Sequence, residues 1–532
     1  MKNIKKFIVI FIAISLSGCG EDFLEVELKN DLGVDSFYET REDALKAITS
    51  CYDPLKGRGF FAQNYQYIMY ALSDRMINEN SSMNEYSFTA NNTYTGGDNL
   101  NFSVWDFLYR GVFRTNLALQ HIPDIEISDE DPAGYPLKER MLGEARFLRA
   151  MYYFYLRVHF YQPILLEEPA FDLSYPYTNA HPDTVWAFIE RDLEYAIEHL
   201  PEKSEYAEAD LGRATRGAAK SLLGKSYLYQ QKFAEARDIL EEVINSGEYS
   251  LSQPQGTDST DYVYAYLANF SYRDLPGQSV SYEAEHNSES IFEINNTDKT
   301  DNIINEWNPG LQSDGTDFTA WFGAAGFKNV VPTTEMFNLY EQTPSDHPCE
   351  YDPRRAASIF VEGDEMESWN PDNPFYGVPF DPNSHTNTGI TQGYGLKKWL
   401  YPNHYSPSYG VFLDPTNWRI IRYSDVLLMY AEATYHAGGG DGLGALNQVR
   451  QRAGLEPVDA LTPEAIMHER DVELFAECVR YLDLVRWLQL PEPWVTAEEI
   501  HPNFQTGKHE YWPIPQVDVV RLKGSLKQNP GW

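Results

Sequence analysis

A hydrolytic centre needs an activated nucleophile, or two carboxylates at a set separation with one of them pushed up in pKa. Pairs such as Glu283 and Glu285 arise by chance in a chain with 79 Asp and Glu, where solvated acidic faces are common. His468-Glu469 lacks the second histidine of an HExxH pattern, and no GxSxG, Walker loop or strand-linked GxGxxG occurs. Asp314, Gly315 and Asp317 do not meet the EF-hand pattern. Cys51, Cys349 and Cys478 fall in no CxxC or other metal-ligand spacing and read as structural, their odd number allowing at most one bridge. These residues predict no enzyme, no cofactor and no metal site. The remaining chemistry is aromatic. Rings make up 14% of the chain, more than a helical scaffold needs for packing, and suit loops that present rings to ligands.

The elements that position those rings are mostly helical. Arg213 to Leu251 reads as two antiparallel helices, with Thr215 as N-cap and a turn at Gln231, Lys232 and Phe233. Ala219, Leu222 and Leu223 form the stripe of the first helix, and Ala236, Ile239, Leu240, Val243 and Ile244 that of the second. Leu223-Gly224, Tyr227, Ala236 and Leu240 match most of the tetratricopeptide spacing, in which small residues let helices cross closely. One such pair cannot bury its stripes alone, so further helix pairs must stack on it. Helices are expected from Ser36 or Thr40 through Cys51, over Tyr65 to Leu72, Trp105 to His121, Met141 to His159 and Asp183 to Leu200, from Trp418 onward with a partner at Ala445 to Arg452, and over Pro463 to Leu488. Glu289 to Asn295 reads as a short strand, and the tail from Tyr511 to Trp532 as extended. Three regions lack a helical period: 78–103, 252–330 and 361–415. Loops of this length tend to be functional or disordered.

The N-terminus carries an address. Lys2, Lys5 and Lys6 precede an apolar run from Phe7 to Leu16, too short to span a bilayer and right for a signal peptide. Leu16-Ser17-Gly18-Cys19 resembles a bacterial lipobox, which implies cleavage after residue 18 and acylation of Cys19. Glu21 and Asp22 resemble the signal that sends Bacteroidetes lipoproteins to the outer face of the outer membrane. With 42 Lys and Arg against 79 acidic residues, the net charge of −37 repels phosphate backbones, so nucleic acid is not an expected partner.

GEARFLRAMYYFYLRV, RATRGAAKSLLGKSYLY, WRIIRYSDVLLMYAEA, ERDVELFAECVRYLDLVRW and the closing YWPIP with LKQNPGW, taken with the lipobox, resemble the SusD/RagB family of outer-membrane nutrient-binding lipoproteins. The resemblance covers the chain from Cys19 to Trp532. It implies a mostly α fold, in which tetratricopeptide-like helix pairs form a scaffold for a large loop-rich ligand face. It implies one domain over 19–532 behind a signal peptide at 1–18, with most helix pairs in 20–270 and the ligand loops and closing helices in 271–532. It also implies an oligosaccharide ligand, a SusC-like TonB-dependent transporter as partner, and attachment to the outer membrane through the lipid on Cys19.

A sugar offers a C–H face and a rim of hydroxyls, so its binder needs flat rings and amide or carboxylate groups. Covering one ring face contributes about 1–3 kcal/mol, which repeated contacts multiply. The candidates are the rings of the irregular regions: Trp307, Trp321 and Phe322, then Tyr94 with Asn92, then Tyr376. A peptide or other nutrient, a tetratricopeptide adaptor without nutrient, and a glycoside hydrolase are the alternative readings.

Overall fold

The computed structural model describes residues 37–78, 84–170, 175–271, 275–276, 281–296, 316, 318–323, 328–366, 378–382, 393–399 and 414–532. Cys19, Trp307 and Tyr376 lie outside these residues, as do Asp314, Gly315 and Asp317.

The scaffold is a continuous array of antiparallel helices. Arg41–Tyr52 packs on Asn99–His121, which packs on Leu137–Phe160; Pro182–His199, Arg216–Tyr229 and Phe233–Asn245 follow in order. The array does not end there. Phe233–Asn245 packs against Tyr423–Ala437, which pairs with Gly442–Arg452, so the chain leaves the scaffold after residue 245 and rejoins it far along the sequence.

Local chemistry sets the helix starts. Thr40 accepts the Asp43 N–H and the Asp43 carboxylate accepts the Thr40 N–H, a capping box. Thr215 caps through the Ala218 N–H, and Thr462 through the Ala465 N–H ahead of Pro463 in the first turn. The Arg216–Tyr229 and Phe233–Asn245 pair is built as its spacing predicts: Ala219, Leu222, Leu223, Ala236, Leu240 and Val243 are buried, while Ile239 and Ile244 are half-buried at the edge. Gly224 lies at the crossing, where a β-carbon would stand 2.6 Å from Leu240 Cδ2. Gln231 makes the turn with φ 60°, and Phe233 belongs to the second helix.

Five expectations need correction. The 252–330 region, read as lacking a helical period, contains the helix Ser259–Leu267. The 78–103 region contains the helix Asn84–Ala90, and the next helix starts at Asn99, before Trp105, because polar Asn101 and Ser103 stand at buried positions of its first turns and interrupt the apolar period. Trp418–Arg422 is a strand; it pairs antiparallel with Ser290–Ile294 through an irregular register, and the helix begins at Tyr423. Five residues, Trp-Arg-Ile-Ile-Arg, satisfy either period, and the pairing with a distant strand decides. Pro463 to Leu488 is two helices, Pro463–Glu473 and Arg480–Leu488, separated by a bend in which Ala476 and Cys478 take φ 59° and 62°. The tail is not extended throughout, since Gln516–Arg521 is helical. Cys51, Cys349 and Cys478 are free thiols.

Candidate functional site

The helix Pro463–Glu473 and the bend after it form a buried ionic hub. Glu473, with no exposed surface, accepts from Arg354 at 2.8 Å, Arg422 at 2.9 Å and Arg452 at 2.5 Å. Glu469 accepts from Arg354 at 2.6 Å and Arg450 at 3.2 Å; Glu289 holds Arg422 and Arg452; Glu477 holds Arg422 and Lys398, each at 2.7 Å. Burial by itself pushes the Glu473 carboxyl up, but Arg452, Arg422 and Arg354 outweigh it and hold the group well below the usual carboxylate range. Burial pulls Lys398 down to about 8 against the opposing charge of Glu477. His468-Glu469 is thus accounted for structurally: His468 lies 2.9 Å from Glu341, and Glu469 neutralises two arginines.

The hub fixes the segments that carry aromatic rings. Arg354 precedes Arg355 on the short helix Pro353–Ser358, and Asp352 both caps that helix and grips Arg354. Lys398 and Trp399 follow the strand Tyr394–Leu396, and the Trp399 Nε1–H donates to the Ala476 carbonyl at 2.9 Å. Tyr394–Leu396 pairs antiparallel with Ile359–Val361, which directly continues the Arg355 helix. On this base Tyr394 stacks on Phe337, with centroids 4.7 Å apart and planes at 19°. The Arg355 guanidinium lies 4.8 Å from the Phe337 centroid and 3.6 Å from that of Tyr351. Tyr394, Phe337, Arg355 and Tyr351 are all half-buried and form a ledge of flat groups. Among the described residues the Arg355 side chain makes no hydrogen bond or ion pair, so its guanidinium donors remain open to a ligand.

The segment that carries Trp321 adjoins the strand of Tyr394. Gly323 bridges to Leu396, which sets the end of the helix Phe318–Trp321 beside the strand of Tyr394. Trp321 is half-buried and packs against the core. Its neighbour Phe322 is fully buried against Tyr67, Tyr70 and Phe318 and presents no face to a ligand, a correction to its place among the candidates. Tyr94 and Asn92 are corrected likewise. Tyr94 is buried against Trp532 at 5.1 Å and His509 and docks its loop onto the tail, while Asn92 is buried in a left-handed conformation. Burial of Phe322 and Tyr94 follows from partners contributed by distant segments.

Sequence reasoning missed Phe337, Tyr351, Arg355 and Tyr394. Asp352-Pro353 before two arginines signals a helix start, but nothing local to Phe337 or Tyr394 tells of their stacking. Among the described residues no group of three His, Cys, Asp or Glu side chains is gathered for a metal ion, and no helix is long and apolar enough to cross a membrane.

Comparison with known proteins adds the following. Residues 288–532 match the model described as "SusD family", and residues 22–228 match that described as "Starch-binding associating with outer membrane". The chain is 26% identical to a SusD-like protein of Bacteroides ovatus over 510 residues, 92% of this chain and 83% of that protein. Its fold is similar to that of a structure described as a laminarin binding SusD-like protein, with a TM-score of 0.72, 26% identity, and coverage of 93% of this chain and 100% of the other. It is also similar in fold to surface glycan-binding protein A from Bacteroides thetaiotaomicron in complex with laminarihexaose, with a TM-score of 0.70 at 22% identity, covering 92% and 99% of the two chains.

Proposed function

Because the chain belongs to the SusD/RagB family, we propose that it is a glycan-binding lipoprotein that captures oligosaccharides and passes them unaltered to a SusC-like TonB-dependent transporter. The observation that carries this reading is the ledge itself: Tyr394, Phe337 and Trp321 supply flat faces for the C–H surface of a sugar, and Arg355 supplies donors for its hydroxyl rim. The family member described as laminarin binding supports a glucan as the ligand class. Trp307 and Tyr376, which lie outside the described residues, are proposed as further ligand-binding rings on their residue type. Association with the outer membrane has support in the description of the family model over residues 22–228, and Cys19 is the proposed acylation site.

Affinity electrophoresis of the protein through gels containing laminarin and a panel of other polysaccharides, with reducing ends assayed in parallel, tests the capture reading. Retardation by one polymer without new reducing ends is the expected result; new reducing ends would overturn it in favour of a hydrolase. For the transporter, the expected result is co-purification of a TonB-dependent barrel from detergent-solubilised membranes, and its absence removes that partner.

A further inference from the structure

At the C-terminal end of the helix Leu137–Phe160 the chain reverses through a single residue. Tyr161 takes φ 58° and ψ −69°, and the Gln162 N–H donates to the Phe160 carbonyl at 2.6 Å. This is a γ-turn in a region that a side chain makes costly, and the surroundings must hold it. They do so through the tail. The Tyr161 ring stacks on Tyr511, with centroids 4.5 Å apart and planes at 30°. The Tyr511 carbonyl accepts from Trp532 Nε1 at 3.0 Å, and the adjacent Trp512 N–H donates to the His159 carbonyl at 2.5 Å.

The Arg157 guanidinium lies against the same rings: 5.3 Å from the Tyr161 centroid, 5.7 Å from Tyr511 and 5.2 Å from Trp186. Its Nε is buried without a hydrogen-bond partner, and among the described residues the Arg157 side chain forms no ion pair and no hydrogen bond. Carboxylates are not scarce in a chain of net charge −37. Arg146 and Arg149, earlier on the same helix, share Asp192 at 2.9 and 2.7 Å. Arg157 is instead walled by aromatic faces, which stabilise its charge without neutralising it or occupying its in-plane donors.

We propose that Arg157, Tyr161 and Tyr511 form a second saccharide site, selective for a sugar unit bearing a carboxylate or a sulfate ester. The guanidinium fork takes two anionic oxygens side by side, and the tyrosine faces take the C–H surface of the ring. The site extends the glycan-capture reading to charged glycans and is built on elements different from those of the Trp321 and Tyr394 ledge.

Calorimetric titration of the full-length lipoprotein in detergent tests it, using tetragalacturonate, its neutral methyl ester, a sulfated galactan tetrasaccharide, acetate and laminarihexaose. The expected result is binding of an anionic tetrasaccharide at least tenfold tighter than the methyl ester. Arg157→Gln should abolish this preference and Arg157→Lys, which keeps the charge but not the fork, should weaken it severalfold, both with laminarihexaose affinity unchanged. Preference for tetragalacturonate over the sulfated galactan assigns a carboxylate, and the reverse a sulfate. Equal affinity for the charged and methylated forms, no effect of Arg157→Gln and Arg157→Lys, or equal competition by acetate alone would overturn the proposal. If laminarihexaose binds and no anionic saccharide does, only this inference fails; if no saccharide binds at all, the capture reading fails with it.

Discussion

Replacing Glu473 with Gln keeps the shape of the side chain and removes one charge from a closed hub. Around it Arg354, Arg422, Arg452, Arg450 and Lys398 face the buried Asp352, Glu289, Glu469, Glu473 and Glu477, with the partly exposed Glu341 on Arg450 at the rim, so the substitution removes one of the carboxylates that the buried arginines share. Breaking a buried pair by removing one partner costs about 3–5 kcal/mol, and three arginines donate to this carboxylate. An unfolding entropy of roughly 2.1 cal/mol/K per residue makes about 1 kcal/mol per degree for a chain of this length, so the midpoint should fall by about 3–5 °C. The carboxyl is held below its ordinary value, so its contribution is fully present above the unfolded pKa of about 4.3 and is lost as pH falls through the folded value. The difference between the two proteins should therefore be constant from pH 5 to about 7, below the titration of Lys398. Differential scanning calorimetry reads it directly, with Glu242→Gln as control, because Glu242 pairs with Lys220 while 58% exposed and should shift the midpoint by no more than about 1 °C. A Glu473→Gln protein that melts with the control refutes the hub as a stabilising element.

Tyr394→Ala removes the end of the aromatic stack; a loss of about 1–3 kcal/mol corresponds to about 5- to 150-fold weaker laminarihexaose binding, with a melting midpoint near that of the parent. Trp321→Ala should behave similarly, and full affinity in both variants would remove these rings from the site. Gly224→Ala, which in an open helix stabilises by about 1 kcal/mol, should here lower the midpoint because of Leu240, and a rise would contradict the close crossing. His159, stacked 4.0 Å from Trp512 and 3.0 Å from the Tyr65 hydroxyl, is held down to about 3 by burial. Since the unfolded imidazole takes a proton below about pH 6.5 and the folded one does not, stability should drop as pH falls from 6.5 toward 3; His159→Gln should flatten that drop in pH-dependent melting curves. Cys19→Ser should move the protein from the membrane pellet to the soluble fraction on fractionation.

The sequence by itself determined whatever a few consecutive turns can encode. Thr215, the stripes from Ala219 to Val243 and Gly224 announced a closely crossed helix pair because capping and i, i+3, i+4 burial are local, and the structure contains that pair. The family followed from motifs of the same kind, and among them the Glu469 to Trp487 segment holds the ionic hub, though its spacing alone did not say so. Tertiary structure decided the rest. Phe233–Asn245 continues into Tyr423–Ala437 because two apolar faces distant in sequence fit each other, which no window of residues records. Trp418–Arg422 became a strand because Ser290–Ile294 was there to pair with it. Trp321 and Phe322 are adjacent and chemically alike, yet one is half-buried and the other fully buried, because burial is set by Tyr67, Tyr70 and the strand of Leu396 arriving from elsewhere. A side chain's type is written in the sequence; its exposure is a property of the surfaces that close over it.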